Sequence, residues 1–152
     1  MFQLGRLSLV NLGGVHPDLS RLVKTAINMS EVDFRVIEGL RTLERQKQLV
    51  ASGASQTLKS RHLTGHAVDL AALVDGRIEW AWPLYYKIAD AMKNASKILN
   101  IPVEWGVIWD KELSQCGDLD EEVEMYSSRM RALGKKPFLD GPHFQLPWHD
   151  YP

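Results

Sequence analysis

The amino-acid sequence predicts an α+β fold, one small antiparallel β-sheet flanked by helices. Apolar residues with helical spacing alternate along the chain with short β-branched or alternating runs. Two of the short runs are separated only by Asp75-Gly76, the two-residue turn that joins antiparallel neighbours. With 152 residues, 45% apolar and 24% charged, the chain suits a single domain over residues 1–152 whose core needs no staples.

After His16, Pro17 suits the first turn of a helix whose stripe reads Leu19, Leu22, Val23, Ala26 and Ile27. Phe34 and Val36 alternate with Arg35 in a short strand that runs into Gly39. Thr42 caps a second helix that reaches about Ser52 and ends at Gly53. Val68 to Val74 and Arg77 to Trp80 form the hairpin around Asp75-Gly76. Pro83 opens a third helix with the stripe Leu84, Ile88, Met92, Ala95 and Leu99, stopped by Asn100-Ile101-Pro102. Val103 to Trp109 reads as a strand. Asp120 caps a fourth helix, with Glu121, Glu122 and Glu124 near its positive end, and Gly134, Lys135 and Lys136 close it. Pro142 to Leu146 is the last strand.

Composition excludes several classes. Eighteen basic against 19 acidic residues leave a net charge of −1, so no polybasic arm exists to hold nucleic acid. Cys116 is the only cysteine, which rules out an intrachain disulfide and a cysteine zinc finger; it reads as inert. The opening MFQLGRLSLVNLGG is too broken for a signal peptide, and no apolar run approaches the ~20 residues of a membrane span. Folding in a reducing cytosol, without membrane insertion, is the expectation.

The chemistry concentrates in two segments. His62 and Asp69 stand seven residues apart around Gly65. Val68, Leu70 and Ala72 share one strand face, which leaves Asp69 on the other, where a carboxylate is costly unless paired or metal-bound. The loop before the strand lets His62 swing to the same side. His143 starts the last strand, with Phe144 and Leu146 on the opposite face and Asp140 three residues earlier. Three protein ligands plus one free carboxylate are what a hydrolytic zinc site needs. His62 and His66 are spaced i, i+4 as in a zincin helix, but the Glu that motif requires is replaced by Leu63. His66, His16 and His149 therefore read as structural.

Ser60-x-His62-x-x-Gly65-x-Ala67-x-Asp69 followed by Asp140-x-x-His143 resembles the zinc D-alanyl-D-alanine and L-alanyl-D-glutamate peptidases that cut peptidoglycan stem peptides. Gly39-Leu40-Arg41-Thr42, Gln46, Glu104-Trp105-Gly106 and Trp109 match too, so the resemblance runs from about residue 34 to residue 146. Within that superfamily the chain is most similar to small phage endolysins that hydrolyse the L-alanyl-D-glutamate bond. Asp140 favours that branch, because the dipeptidases and carboxypeptidases more often carry Glu before the last histidine.

The resemblance implies a zinc site on the sheet, one Zn²⁺ per chain held by His62, Asp69 and His143. It implies Asp140 as general base, Arg41 at the substrate carbonyl, and Arg41, Gln46, Ser60 and Trp105 as substrate-binding residues. It implies a monomer acting on bacterial peptidoglycan peptides, held in the host cytoplasm before lysis and released to the periplasmic wall by a separate holin. A D-alanyl-D-alanine dipeptidase or carboxypeptidase, or a non-catalytic zinc domain that binds wall peptides, are the alternatives. Two features depart from the family: Val107-Ile108 where a second Gly and an Asp are common, and a long Asp110 to Lys136 stretch.

Overall fold

The computed structural model describes residues 1–152. Its elements, in chain order, are α1 (Arg6–Asn11), α2 (Pro17–Met29), β1 (Asp33–Glu38), α3 (Leu43–Ala51), β2 (Ala67–Val74), β3 (Arg77–Glu79), α4 (Trp82–Leu99), β4 (Glu104–Trp105), α5 (Leu119–Ala132) and β5 (His143–Gln145). Short 3-10 turns precede β2 (Arg61–Thr64) and α5 (Leu113–Gln115). The sheet runs β1-β2-β5-β4, with β3 also on β2, and every pairing is antiparallel. This is the expected α+β arrangement.

Sheet and helices meet in one apolar cluster. The five residues of the α2 stripe are all buried, and so are Ile88, Met92 and Ala95 of α4, against which α2 packs. From the sheet, Phe34, Val36, Val68, Leu70, Ala72, Phe144 and Leu146 point into the same cluster. Strand alternation does the sorting: with Val68 and Leu70 in the core, Asp69 between them must face the other way.

Register then fixes what meets on that second face. Asp69 lies opposite His143 across β2 and β5, and Glu104 lies opposite Gln145 across β4 and β5. His143 and Gln145 are two residues apart on one strand and share a face.

One helix was not expected, and three expectations need correction. The N-terminal stretch forms α1, a helix too short to hold by its own propensity. It is held by β1: Val36 N donates to Ser8 Oγ at 3.0 Å and Asn11 Nδ2 to the Val36 carbonyl at 2.8 Å, so α1 covers an edge strand. Val103 to Trp109 is not one strand. After Glu104–Trp105 the chain turns back, Ile108 N donating to the Trp105 carbonyl at 2.9 Å. The last helix is capped by Asp118, whose Oδ1 accepts from Glu121 N at 3.2 Å, rather than by Asp120. His62 does not swing from a loop; it stands in the 3-10 turn capped by Ser60.

The long Asp110 to Lys136 stretch is structural in part. Leu113, Leu119, Val123 and Tyr126 enter the core, and Arg129 clasps Asp110 with two bonds of 2.8 and 2.9 Å.

Candidate metal centre and cleft

His62 arrives from the turn before β2. Ser60 Oγ accepts from His62 N at 3.2 Å, and Gly65 closes the turn at φ 75°. A Cβ at residue 65 would lie 2.3 Å from the Gly14 carbonyl oxygen, so both the backbone conformation and the close approach require glycine. His62 Nε2 lies 3.2 Å from Asp69 Oδ1, and His143 Nδ1 lies 3.5 Å from the same oxygen. These atoms fall within 4.8 Å of one another, forming a candidate metal-binding group of two imidazoles and one carboxylate.

The outer contacts decide the tautomers. His62 Nδ1 is 2.8 Å from the Gly39 carbonyl, which can only accept, so the proton is on Nδ1 and the lone pair on Nε2. His143 Nε2 donates to Gln145 Oε1 at 2.8 Å, which leaves its lone pair on Nδ1. Two nitrogen lone pairs and a carboxylate oxygen therefore face one another in a nearly dry site. That arrangement repels itself unless protons or a cation lie among them, and the donor set suits Zn²⁺. Burial alone would raise the Asp69 carboxyl. Hydrogen bonds and positive charge from His143 and His62, when the nitrogens facing Asp69 carry protons, outweigh it and hold Asp69 well below the ordinary carboxylate range.

Asp140 stands beside the triad without joining it. Its backbone N donates to the Gly106 carbonyl at 2.8 Å, and its carbonyl accepts from His143 N at 3.1 Å, so acid and histidine form one rigid turn. Burial, and after it the charge of Asp69, push the Asp140 carboxyl above its ordinary range. The turn rests on Gly106: a Cβ there would lie 2.5 Å from the Asp140 carbonyl oxygen and 2.9 Å from His143 Cβ. Gly106→Ala is expected to displace both residues and lower kcat/KM by about 10²-fold, the scale of a 1 Å misplacement. Steady-state rates beside a thermal melt separate this loss from unfolding.

Arg41 reaches the triad from the end of β1. Its Nε and Nη2 pair with Glu38 at 2.6 and 2.7 Å, and Nη2 lies 3.6 Å from Asp69 Oδ2. Gln46 is fully buried: its Oε1 accepts from Arg41 Nη1 at 2.7 Å and its Nε2 donates to Ser55 Oγ at 2.9 Å. Gln46 thus holds Arg41, and its side chain is closed off from solvent where the resemblance implies substrate contact. Trp105 is also fully buried, its Nε1 donating to the Gly141 carbonyl at 2.8 Å. It braces the Asp140 turn through that bond, and its ring is buried where the resemblance implies a substrate-binding residue. His66 bonds Thr64 Oγ1 at 2.7 Å and faces His16, away from the triad, while His149 is exposed.

A cleft of about 810 Å³ opens over His143 and Asp140, bordered by Ser60, Glu104, Trp109 and Phe138. Glu38 and Gln145 are partners that sequence reasoning missed, while Gly39 and Glu104 stood in matched motifs without an assigned role. Gln145 carried a signal, since it follows His143 by two residues on a strand.

A sheet that gathers a candidate ligand triad, with His143 of that triad and the neighbouring Asp140 lining one cleft, gives the chain its class, an α+β hydrolase of the peptidase kind. Comparison with known proteins narrows this. A model of the family described as phage L-alanyl-D-glutamate peptidase matches residues 1–146, and the chain belongs to that family. It is 30% identical over 149 residues to the L-alanyl-D-glutamate peptidase of Escherichia phage T5, covering 95% of this chain and 98% of that one. It is also 30% identical over 105 residues to the enzyme of the same name from Listeria phage A118, covering 67% of this chain and 36% of the relative. The crystal structure of the Serratia marcescens L-Ala D-Glu endopeptidase ChiX superposes with a TM-score of 0.75 at 42% identity, over 97% of this chain and 91% of that one.

Proposed function

We propose that the chain is a zinc-dependent endopeptidase that hydrolyses the L-alanyl-D-glutamate bond of peptidoglycan stem peptides, the lytic enzyme of a phage. The convergence of His62 Nε2, Asp69 Oδ1 and His143 Nδ1 within 4.8 Å carries the reading, in a chain of this family. One Zn²⁺ held by these three atoms would supply the Lewis-acid chemistry of three-ligand sites, activating water and polarising a carbonyl.

The chain's own groups do the rest. Asp140 accepts a proton from the attacking water and returns it to the leaving amine of D-glutamate, work that suits a carboxyl raised by burial. Arg41, clamped by Glu38 and Gln46, keeps a fixed positive charge beside Asp69 and toward the developing oxyanion. Ser60 borders the cleft where the peptide lies.

The enzyme acts as a monomer with one catalytic unit in residues 1–152. In a phage-infected cell it would wait in the host cytoplasm until a separate holin opens the membrane to the periplasmic wall. No helix of the chain is long and apolar enough to cross a membrane.

Mass spectrometry of purified peptidoglycan after digestion tests the bond. New C-terminal L-alanine and new N-terminal D-glutamate are expected. Release of terminal D-alanine alone would instead make the chain a carboxypeptidase or dipeptidase.

A further inference from the structure

The two histidines of the triad are oriented by different means. His62 is held by the Gly39 backbone carbonyl, a group that cannot reverse its polarity. His143 is held by the Gln145 side chain, an amide that presents oxygen at one end and NH₂ at the other. A half-turn of that amide would place NH₂ against His143 Nε2. The imidazole would then keep its proton on Nδ1, the atom that faces Asp69.

The structure contains the lock that prevents this. Gln145 Nε2 donates to Glu104 Oε1 at 3.1 Å, and an ionised carboxylate can only accept. Glu104 lies opposite Gln145 in the β4–β5 register, so the contact follows from strand pairing. His143 and Gln145 are both buried, and Glu104 closes the series at the edge of the cleft.

We propose that Glu104 is a positioning residue for the metal centre. By accepting from the Gln145 amide, it fixes the His143 tautomer that offers Nδ1 to a divalent ion. The inference rests on the metal-dependent reading above and assigns Glu104 no contact with the reacting atoms.

A zinc-affinity cycle on the full chain tests it, with a competing chromogenic chelator as probe. Removing an outer partner of a metal-bound histidine costs about 10- to 100-fold in metal affinity, the loss expected for Gln145→Leu. Glu104→Gln is nearly isosteric and should also weaken zinc, because an amide at 104 can donate as well as accept. Combined with Gln145→Leu, it should add nothing. If the two losses simply multiply, or if Glu104→Gln binds zinc as the wild type does, the relay is wrong. Should Gln145→Leu fail to fold by circular dichroism, Glu104→Gln alone decides. A wild-type chain that takes up no stoichiometric zinc would overturn the metal-dependent reading itself, and the relay with it.

Discussion

Asp140→Asn is expected to lower kcat on peptidoglycan peptides by about 10²- to 10⁴-fold, the usual contribution of a positioned general base. The amide keeps the size of the carboxyl but cannot take a proton from water. Asp140 is outside the three-atom ligand group, so zinc should still bind with a stoichiometry of one. The backbone bonds that hold the turn, Asp140 N to Gly106 and His143 N to Asp140, do not involve the side chain. Initial rates measured beside elemental analysis check both halves. Full turnover with bound zinc would remove Asp140 from the mechanism.

His62→Ala is expected to have the opposite signature, with the metal lost first and activity as a consequence. The substitution deletes one of three ligands, so it should weaken zinc by more than the 10- to 100-fold expected of an outer contact. Ligand-linked stability provides a readout independent of turnover. An ion at about 100 times its Kd stabilises the folded state by about 2.7 kcal/mol. The wild type should melt at a higher temperature with zinc than without it. The variant should show little shift at the same concentration. An equal shift in both proteins would place the ion elsewhere.

The readable parts of the fold are those whose signal is local. The five α2 positions at helical spacing are all buried, and Thr42 caps α3 with its own hydroxyl, accepting from Arg45 N at 3.1 Å. Asp75 and Gly76 both have positive φ, 52° and 78°, as a two-residue hairpin turn requires. Asp69 could be placed opposite the core because Val68 and Leu70 flank it. Long-range contacts were not legible. α1 exists because Ser8 and Asn11 bond Val36, and nothing in its own six residues announces that. Asp118 and Asp120 are both acceptable caps by residue type, and only the placement of Leu119 in the core selects the first.

The candidate site divides along the same line. The motif brought His62, Asp69, Asp140, His143 and Arg41 into one neighbourhood, but residue type cannot say which motif members face inward. Gln46 and Trp105 are polar-tipped side chains whose partners, Arg41 with Ser55 and the Gly141 carbonyl, lie within the protein. Their hydrogen bonds are satisfied there, and both side chains are buried, a placement residue type alone does not announce. The outer contacts of the histidines depend on strand register and on the end of β1, neither of which spacing alone reveals.

Hydrolysis by chelator-stripped protein bears most directly on whether the three donors serve catalysis through an ion. Stripped chain, shown metal-free by elemental analysis, should leave peptidoglycan uncut, and about one equivalent of Zn²⁺ should restore cleavage between L-alanine and D-glutamate. Undiminished cleavage by the metal-free chain would contradict the account.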